Sequence, residues 1–165
     1  MDRKKNIRWN TLRITAVGFL GIILIGGVLL YLPVSNTRPI AFMDALFTSV
    51  TSVCVTGLVT VTPASQFTLF GKVILLLLIQ IGGLGVIACT TLFFFLLGRR
   101  ITLRERVMLQ ESYGADRLGG IVRLVRKIIL GTLVVEGCGA FLYAFQFVPE
   151  YGPVKGIWFA IFHAV

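Results

Sequence analysis

The hexapeptide Val53-Cys54-Val55-Thr56-Gly57-Leu58 is the stretch of this chain best suited to chemistry. Its β-branched residues favour extended backbone. The glycine inside it permits torsion angles that turn successive carbonyls to one side. A row of carbonyls facing a common axis replaces the hydration shell of a cation. Backbone oxygens around Gly57 are therefore candidate groups for holding a cation. A Val-Thr-Gly triplet also occurs in ordinary strands, so the elements around it decide between the two readings.

The other reactive side chains offer less. Cys54, Cys89 and Cys138 are scattered without metal-ligand spacing. His163 is the only histidine and reads as a packed ring in an apolar helical run. No nucleophile–base pair and no metal cluster is visible, so the expectation is a protein without enzymatic activity and without a covalent cofactor. Glu136 stands in the middle of an apolar run. A carboxylate at that depth in a bilayer costs about 2.5–3.5 kcal/mol, so it must face protein or water, as a structural hydrogen-bonding group or as an attractor of cations. Asp44 suits the positive end of a helix dipole or, alternatively, raises cation concentration at an outer mouth.

Composition defines the elements that must position these groups. The chain has 165 residues, 56% hydrophobic and 14% charged, with mean hydropathy +0.91. Soluble domains of this size do not carry that balance. Ile14 to Leu32 is a run of 19 residues without charge, Val73 to Leu97 one of 25, and Ile128 to Phe147 one of 20 with Glu136 its only charge. A bilayer core of about 30 Å needs about 20 helical residues, so all three runs can span. The first is too long, and lacks the cleavage site, for a removable signal. Glycines 82, 83 and 85 inside the second run allow close helix packing or a hinge, and Gln80 allows a bond across helices or to a neighbouring backbone.

Of 16 Lys and Arg, five precede Ile14 and eight lie between Arg99 and Lys127. The positive-inside rule puts both groups in the cytoplasm and residues 33–66 outside. The net charge of +9 is thereby accounted for by topology and anionic lipid, with no nucleic acid among the partners. Within 33–66, Ser35, Asn36 and Thr37 are cap-type residues, Pro39 suits a first turn, and 40–52 reads as a helix too short to cross. A short apolar helix, an extended stretch and a return to the same side describe a re-entrant loop; an extracellular cap helix is the other reading. Non-helical backbone at membrane depth persists only where protein buries it or water lines it.

A shift of 115 residues lays Ile40–Val50 on Lys155–Val165, with Ala45 on Ala160, Phe47 on Phe162 and Val50 on Val165. The same shift lays the first span on residues 129–147. Repeats around a shared axis are a common way to build a solute pathway.

With the V-C-V-T-G-L stretch and a following span containing Gln80-Ile-Gly-Gly-Leu-Gly85, the chain resembles the potassium transporters of the Trk/Ktr/HKT superfamily, and its single span before the first pore segment resembles the Ktr-type membrane subunit. The resemblance implies an all-α membrane protein of span–pore-loop–span repeats. It divides the chain into a basic N-terminus (1–13), a first repeat (14–97, with spans 14–32 and 67–97, pore helix 40–52 and filter 53–58), a cytoplasmic loop (98–127) and the start of a second repeat (128–165). Gly57 matches the family's filter glycine, and the resemblance implies ion binding by backbone oxygens of Cys54, Val55, Thr56 and Gly57, with the Cys54 thiol packed behind. Four repeats are expected, and Val165 stops seven residues before a second filter glycine would fall, so it reads as a truncation. The implied function is channel-like potassium transport in the cell membrane, with K+ as cargo and Na+ as a second candidate. The implied partners are the remaining repeats, membrane lipid, a second copy in a homodimer and a cytosolic ring of nucleotide-binding regulators. Arg104, Glu105 and Arg106 are the candidate contacts to that ring; Thr102 to Glu105 form a capping box that opens a short helix to about Ser112. A lipid-facing basic collar is the alternative for this loop. Competing functions are a non-transporting assembly or anchoring subunit and a carrier of another solute with a re-entrant loop.

Overall fold

A computed structural model describes residues 2–85, 106–107, 109–110 and 121–165, with backbone alone for 2–12, 14, 121 and 122. The described residues are helical apart from short connections, as expected for an all-α membrane protein. They fall into two units, Met1–Leu118 and Gly119–Val165.

In the first unit, α1 (Asp2–Tyr31) is one helix of 30 residues. The basic start and the apolar run thus form a single rod, because no proline interrupts them. The rod stops where it must: Leu32 precedes Pro33, which disfavours helical torsions, and Leu32 is extended (φ −55°, ψ 139°). A 3-10 turn, Pro33–Ser35, comes next.

The short helix α2 (Phe42–Val53) starts later than Ile40. Its N-cap is Ala41, which has no side chain able to cap. The cap-type residues serve the helix before it instead. Ser35 Oγ donates to the Leu29 carbonyl (2.6 Å), and Asn36 Nδ2 donates to the carbonyls of Leu30 (2.6 Å) and Leu32 (3.0 Å). These are the open carbonyls at the C-terminus of α1, which need donors wherever water is excluded.

A one-turn helix α3 (Pro63–Gln66) leads into α4 (Leu69–Leu84). Thr68 caps α4 by accepting from the Gly71 amide (3.3 Å). The connector after α1 and the one before α4 are laced together. Asn36 and Phe67 form an antiparallel bridge. Gln66 Nε2 donates to the Arg38 carbonyl (2.7 Å), the Thr37 amide to the Gln66 carbonyl (2.8 Å), and Thr68 Oγ1 to the Val34 carbonyl (2.7 Å).

The expected span over 67–97, whose glycine-rich stretch admitted either close packing or a hinge, contains a helix end. α4 ends at Leu84, and Gly85 adopts φ +84°, a left-handed torsion only glycine takes at low cost. Residues 86–97 lie outside the described residues, as do Cys89, Arg104, Glu105 and the Thr102–Glu105 capping box. Arg106, Val107, Leu109 and Gln110 are helical.

The core of the first unit is Leu30, Ala45, Val53, Phe67, Ile74, Leu75 and Leu78. Helix α2 turns an unusual face to it: the buried residues include Thr48, Ser49, Thr51 and Ser52, while Met43 is 73% exposed. The hydroxyls are all satisfied. Thr48 Oγ1 donates to the Asp44 carbonyl (2.7 Å), Ser52 Oγ to the Thr48 carbonyl (2.7 Å), and Ser49 Oγ crosses to the Ile23 carbonyl of α1 (2.8 Å). Small hydroxyl residues let α2 approach its neighbours closely, a known device where lipid gives no hydrophobic drive between helices.

In the second unit, α5 (Ile121–Tyr151) has 31 residues and α6 (Pro153–Ala164) has 12. Within α5, Arg123–Tyr151 is long and apolar enough to cross a membrane, the one such segment among the described residues; Thr15–Tyr31, Phe42–Val53 and Leu69–Leu84 are shorter apolar helices. A single residue, Gly152, joins α5 to α6. The two pack through Gly156, whose missing Cβ would stand 2.6 Å from the Phe147 carbonyl, and through the buried Ala160. His163 belongs to this packing. Its ring lies 5.0 Å from that of Phe147, and its Nδ1 pairs with the Phe159 carbonyl at 2.8 Å.

Candidate functional site

The candidate site begins where α2 ends. Cys54 is the C-cap, with helical torsions (φ −84°, ψ −2°), and its amide donates to the Val50 carbonyl (2.8 Å). The Val55 amide donates to the Ser52 carbonyl (3.4 Å) and the Thr56 amide to the Thr51 carbonyl (3.0 Å). This pair of bonds is a Schellman motif, a common way to close a helix. Its left-handed position normally holds glycine. Here it holds Val55, at φ +52°. A β-branched residue in that region costs roughly 1–2 kcal/mol, so the surrounding bonds must hold it there.

Gly57 takes the next left-handed torsion, φ +73°, while Thr56 between them does not. The sign of φ therefore alternates along Cys54, Val55, Thr56 and Gly57. In a flat strand successive carbonyls point to opposite sides. Alternating signs of this kind turn successive amides toward one side, the arrangement familiar from backbone nests. The amide side is tied back to α2. Among the described residues, no hydrogen bond is made to the carbonyls of residues 54–57.

A second layer supports the turn. Thr51 Oγ1 lies 2.6 Å from Thr56 Oγ1 and accepts from the Leu58 amide at 2.9 Å. Thr51 is buried, whereas residues 54–60 are exposed, with Val55 at 56%. From α4, Gly82 abuts the end of α2: a Cβ there would meet the Val53 carbonyl oxygen and stand 2.8 Å from its carbon.

The residues expected from the sequence to bind ions are consecutive and exposed. One detail is corrected. The Cys54 thiol is exposed rather than packed behind, because the cap residue has already left the buried face of α2. Asp44 lies in the first turn of α2, and Glu136 lies half-buried in α5. Arg106 is exposed. Among the described residues there is no group of three or more His, Cys, Asp or Glu able to hold a metal ion. Sequence reasoning missed two contributors, Thr51 and the Gly82–Val53 contact. The spacing of Thr48, Ser49, Thr51 and Ser52 at one helical face was the available signal for the first.

Comparison with known proteins gives a consistent result. Residues 8–165 match the family model for TrkH, described as a cation transport protein. The chain is 39% identical over 161 residues to the Ktr system potassium uptake protein B of Bacillus subtilis, covering 98% of this chain and 36% of that protein. It is 37% identical over 167 residues to the potassium/sodium uptake protein NtpJ of Enterococcus hirae, covering 100% of this chain and 37% of that protein. It is 39% identical over 153 residues to the Ktr system potassium uptake protein B of Vibrio alginolyticus, covering 93% of this chain and 34% of that protein. The chain spans about a third of the length of these curated relatives. Apolar helices, a backbone turn of alternating φ sign after the short helix, and a match over nearly every residue lead to one assignment: the chain belongs to the TrkH family of cation transport proteins.

Proposed function

We propose that the chain forms part of a potassium-translocating path across the cell membrane, in which the carbonyls of Cys54, Val55, Thr56 and Gly57 replace part of the ion's hydration shell. The supporting observation is the alternation of φ sign across these residues, with the amides of Cys54, Val55 and Thr56 tied to α2. Backbone oxygens suit a dehydrated monovalent cation. Helix α2 is then a re-entrant pore helix and 53–58 the filter. Helices α5 and α6 begin a second repeat: Ala45 and Ala160, equivalent under the 115-residue shift, are both buried.

Two relatives are named potassium uptake proteins and one a potassium/sodium uptake protein, so Na+ is the competing ion. The remaining repeats complete the ring of carbonyls around the path. The charge distribution orients the N-terminus and residues 98–127 to the cytoplasm. Two relatives are components of a Ktr system; we assign Arg104, Glu105 and Arg106 to contact with a cytosolic regulatory ring, and the complete protein to a homodimer.

Gly57→Ser in the complete protein, expressed in potassium-starved cells lacking other uptake systems, tests the proposal. The expected result is weakened discrimination of K+ from Na+ at normal membrane abundance. Unchanged ion preference refutes the filter assignment.

A further inference from the structure

We infer that Thr51, a pore-helix residue that does not touch the ion, is a positioning residue for ion discrimination: its hydroxyl holds the Thr56 side chain and the Leu58 amide, one on each side of Gly57. The inference rests on the reading of residues 54–57 as the filter.

Closing α2 does not require this hydroxyl. The Schellman bonds already satisfy the amides of Val55 and Thr56. In such motifs the residue at the position of Thr51 usually makes an apolar contact with the one at the position of Thr56. Here the apolar pair is replaced by two hydroxyls at 2.6 Å. The same Thr51 oxygen then accepts the Leu58 amide at 2.9 Å, beyond Gly57. Two points flanking the glycine are therefore held to one buried atom.

The direction of the hydroxyl pair is set by valence. A threonine oxygen has one proton and two lone pairs. Thr51 is 8% exposed, so an idle proton there is costly. Thr51 therefore donates to Thr56 Oγ1 while accepting from Leu58. The Thr56 proton, at an exposed position, turns to water.

The consequence is mechanical. Gly57 has no side chain to brace it, and a Cβ there would meet nothing within 4 Å. Without the clamp, the carbonyls of Thr56 and Gly57 lose two of the bonds that set their direction, and they close on a smaller ion. Thr51→Val keeps shape and removes both bonds; Thr51→Ser keeps both.

The test is competitive uptake of K+ and Na+ by the complete protein in potassium-starved cells, with membrane abundance measured for each variant. Thr51→Val is expected to lower the K+/Na+ preference by about tenfold, the factor that corresponds to the loss of one to two such bonds. Thr51→Ser is expected to restore it to within about threefold. If Thr51→Val keeps the wild-type preference while Gly57→Ser loses it, the clamp is overturned and the filter assignment stands. If both keep it, the filter assignment itself fails. If Thr51→Val does not accumulate, Thr56→Val beside Thr56→Ser, which keeps the hydroxyl, decides: preference lowered in Val but not in Ser supports the clamp, and equal preference in the two overturns it.

Discussion

The carbonyl of Val53 lies against the α-carbon of Gly82, with no room for a Cβ between them. The last turn of α2 thus rests on the backbone of α4, immediately behind the segment that bends at Val55. The direction of the turn depends on this contact as well as on its own hydrogen bonds.

Gly82→Ala is therefore expected to destabilise the protein. The obstructing atoms are backbone, which cannot rotate away, and overpacking of this kind costs about 1–3 kcal/mol. Gly83→Ala, where a Cβ meets nothing within 4 Å, is the control. Thermal unfolding of the purified protein in detergent should show a lowered midpoint for the first and little change for the second. Equal midpoints would mean that α4 does not press on α2.

Val55→Gly should act in the opposite direction on stability. It relieves a left-handed torsion worth roughly 1–2 kcal/mol and returns about half of that through the greater entropy of the unfolded chain. A small rise in the unfolding midpoint is expected, together with reduced K+/Na+ discrimination, because the relaxed turn no longer holds one set of torsions. A fall in stability would show that Val55 is not strained.

Gln66→Leu removes the donor to the Arg38 carbonyl (2.7 Å) and to Asn36 Oδ1 (3.3 Å). These bonds lie at or near the surface, so the loss is about 0.5–1.5 kcal/mol. The amide of Thr37, bound to the Gln66 carbonyl, should exchange hydrogen faster as the two connectors part. Unchanged exchange at Thr37 would place the strength of this latch elsewhere, in Thr68 and its bond to Val34.

The helices were legible because long apolar runs without charge admit few structures. The existence of a short helix before Val53 was legible as well, from its length and its position between two runs. Its start was not. Ser35 and Asn36 look like caps for the short helix after them, and only the geometry shows that they bend back to α1. The break at Gly85 was one of two readings of a glycine-rich run, since Gly82 and Gly85 have the same composition signal and opposite uses. One makes room for a neighbour and the other ends a helix. Thr51 was legible only as one of four hydroxyl residues on a helical face, not by its role. A hydroxyl shows its purpose only when its partners, five and seven residues away, have been brought back beside it.

The hydroxyls of α2 have a consequence for its surroundings. Thr48, Ser49, Thr51 and Ser52 all engage partners within the first unit. To anything that approaches from outside, the helix offers Phe42, Met43, Phe47 and Val50 and a single carboxylate near its start. Many of its residues are polar by letter, yet its outer wall is chemically a hydrocarbon cylinder. Hydrophobic side chains or acyl chains can close over it without stripping water from any hydroxyl.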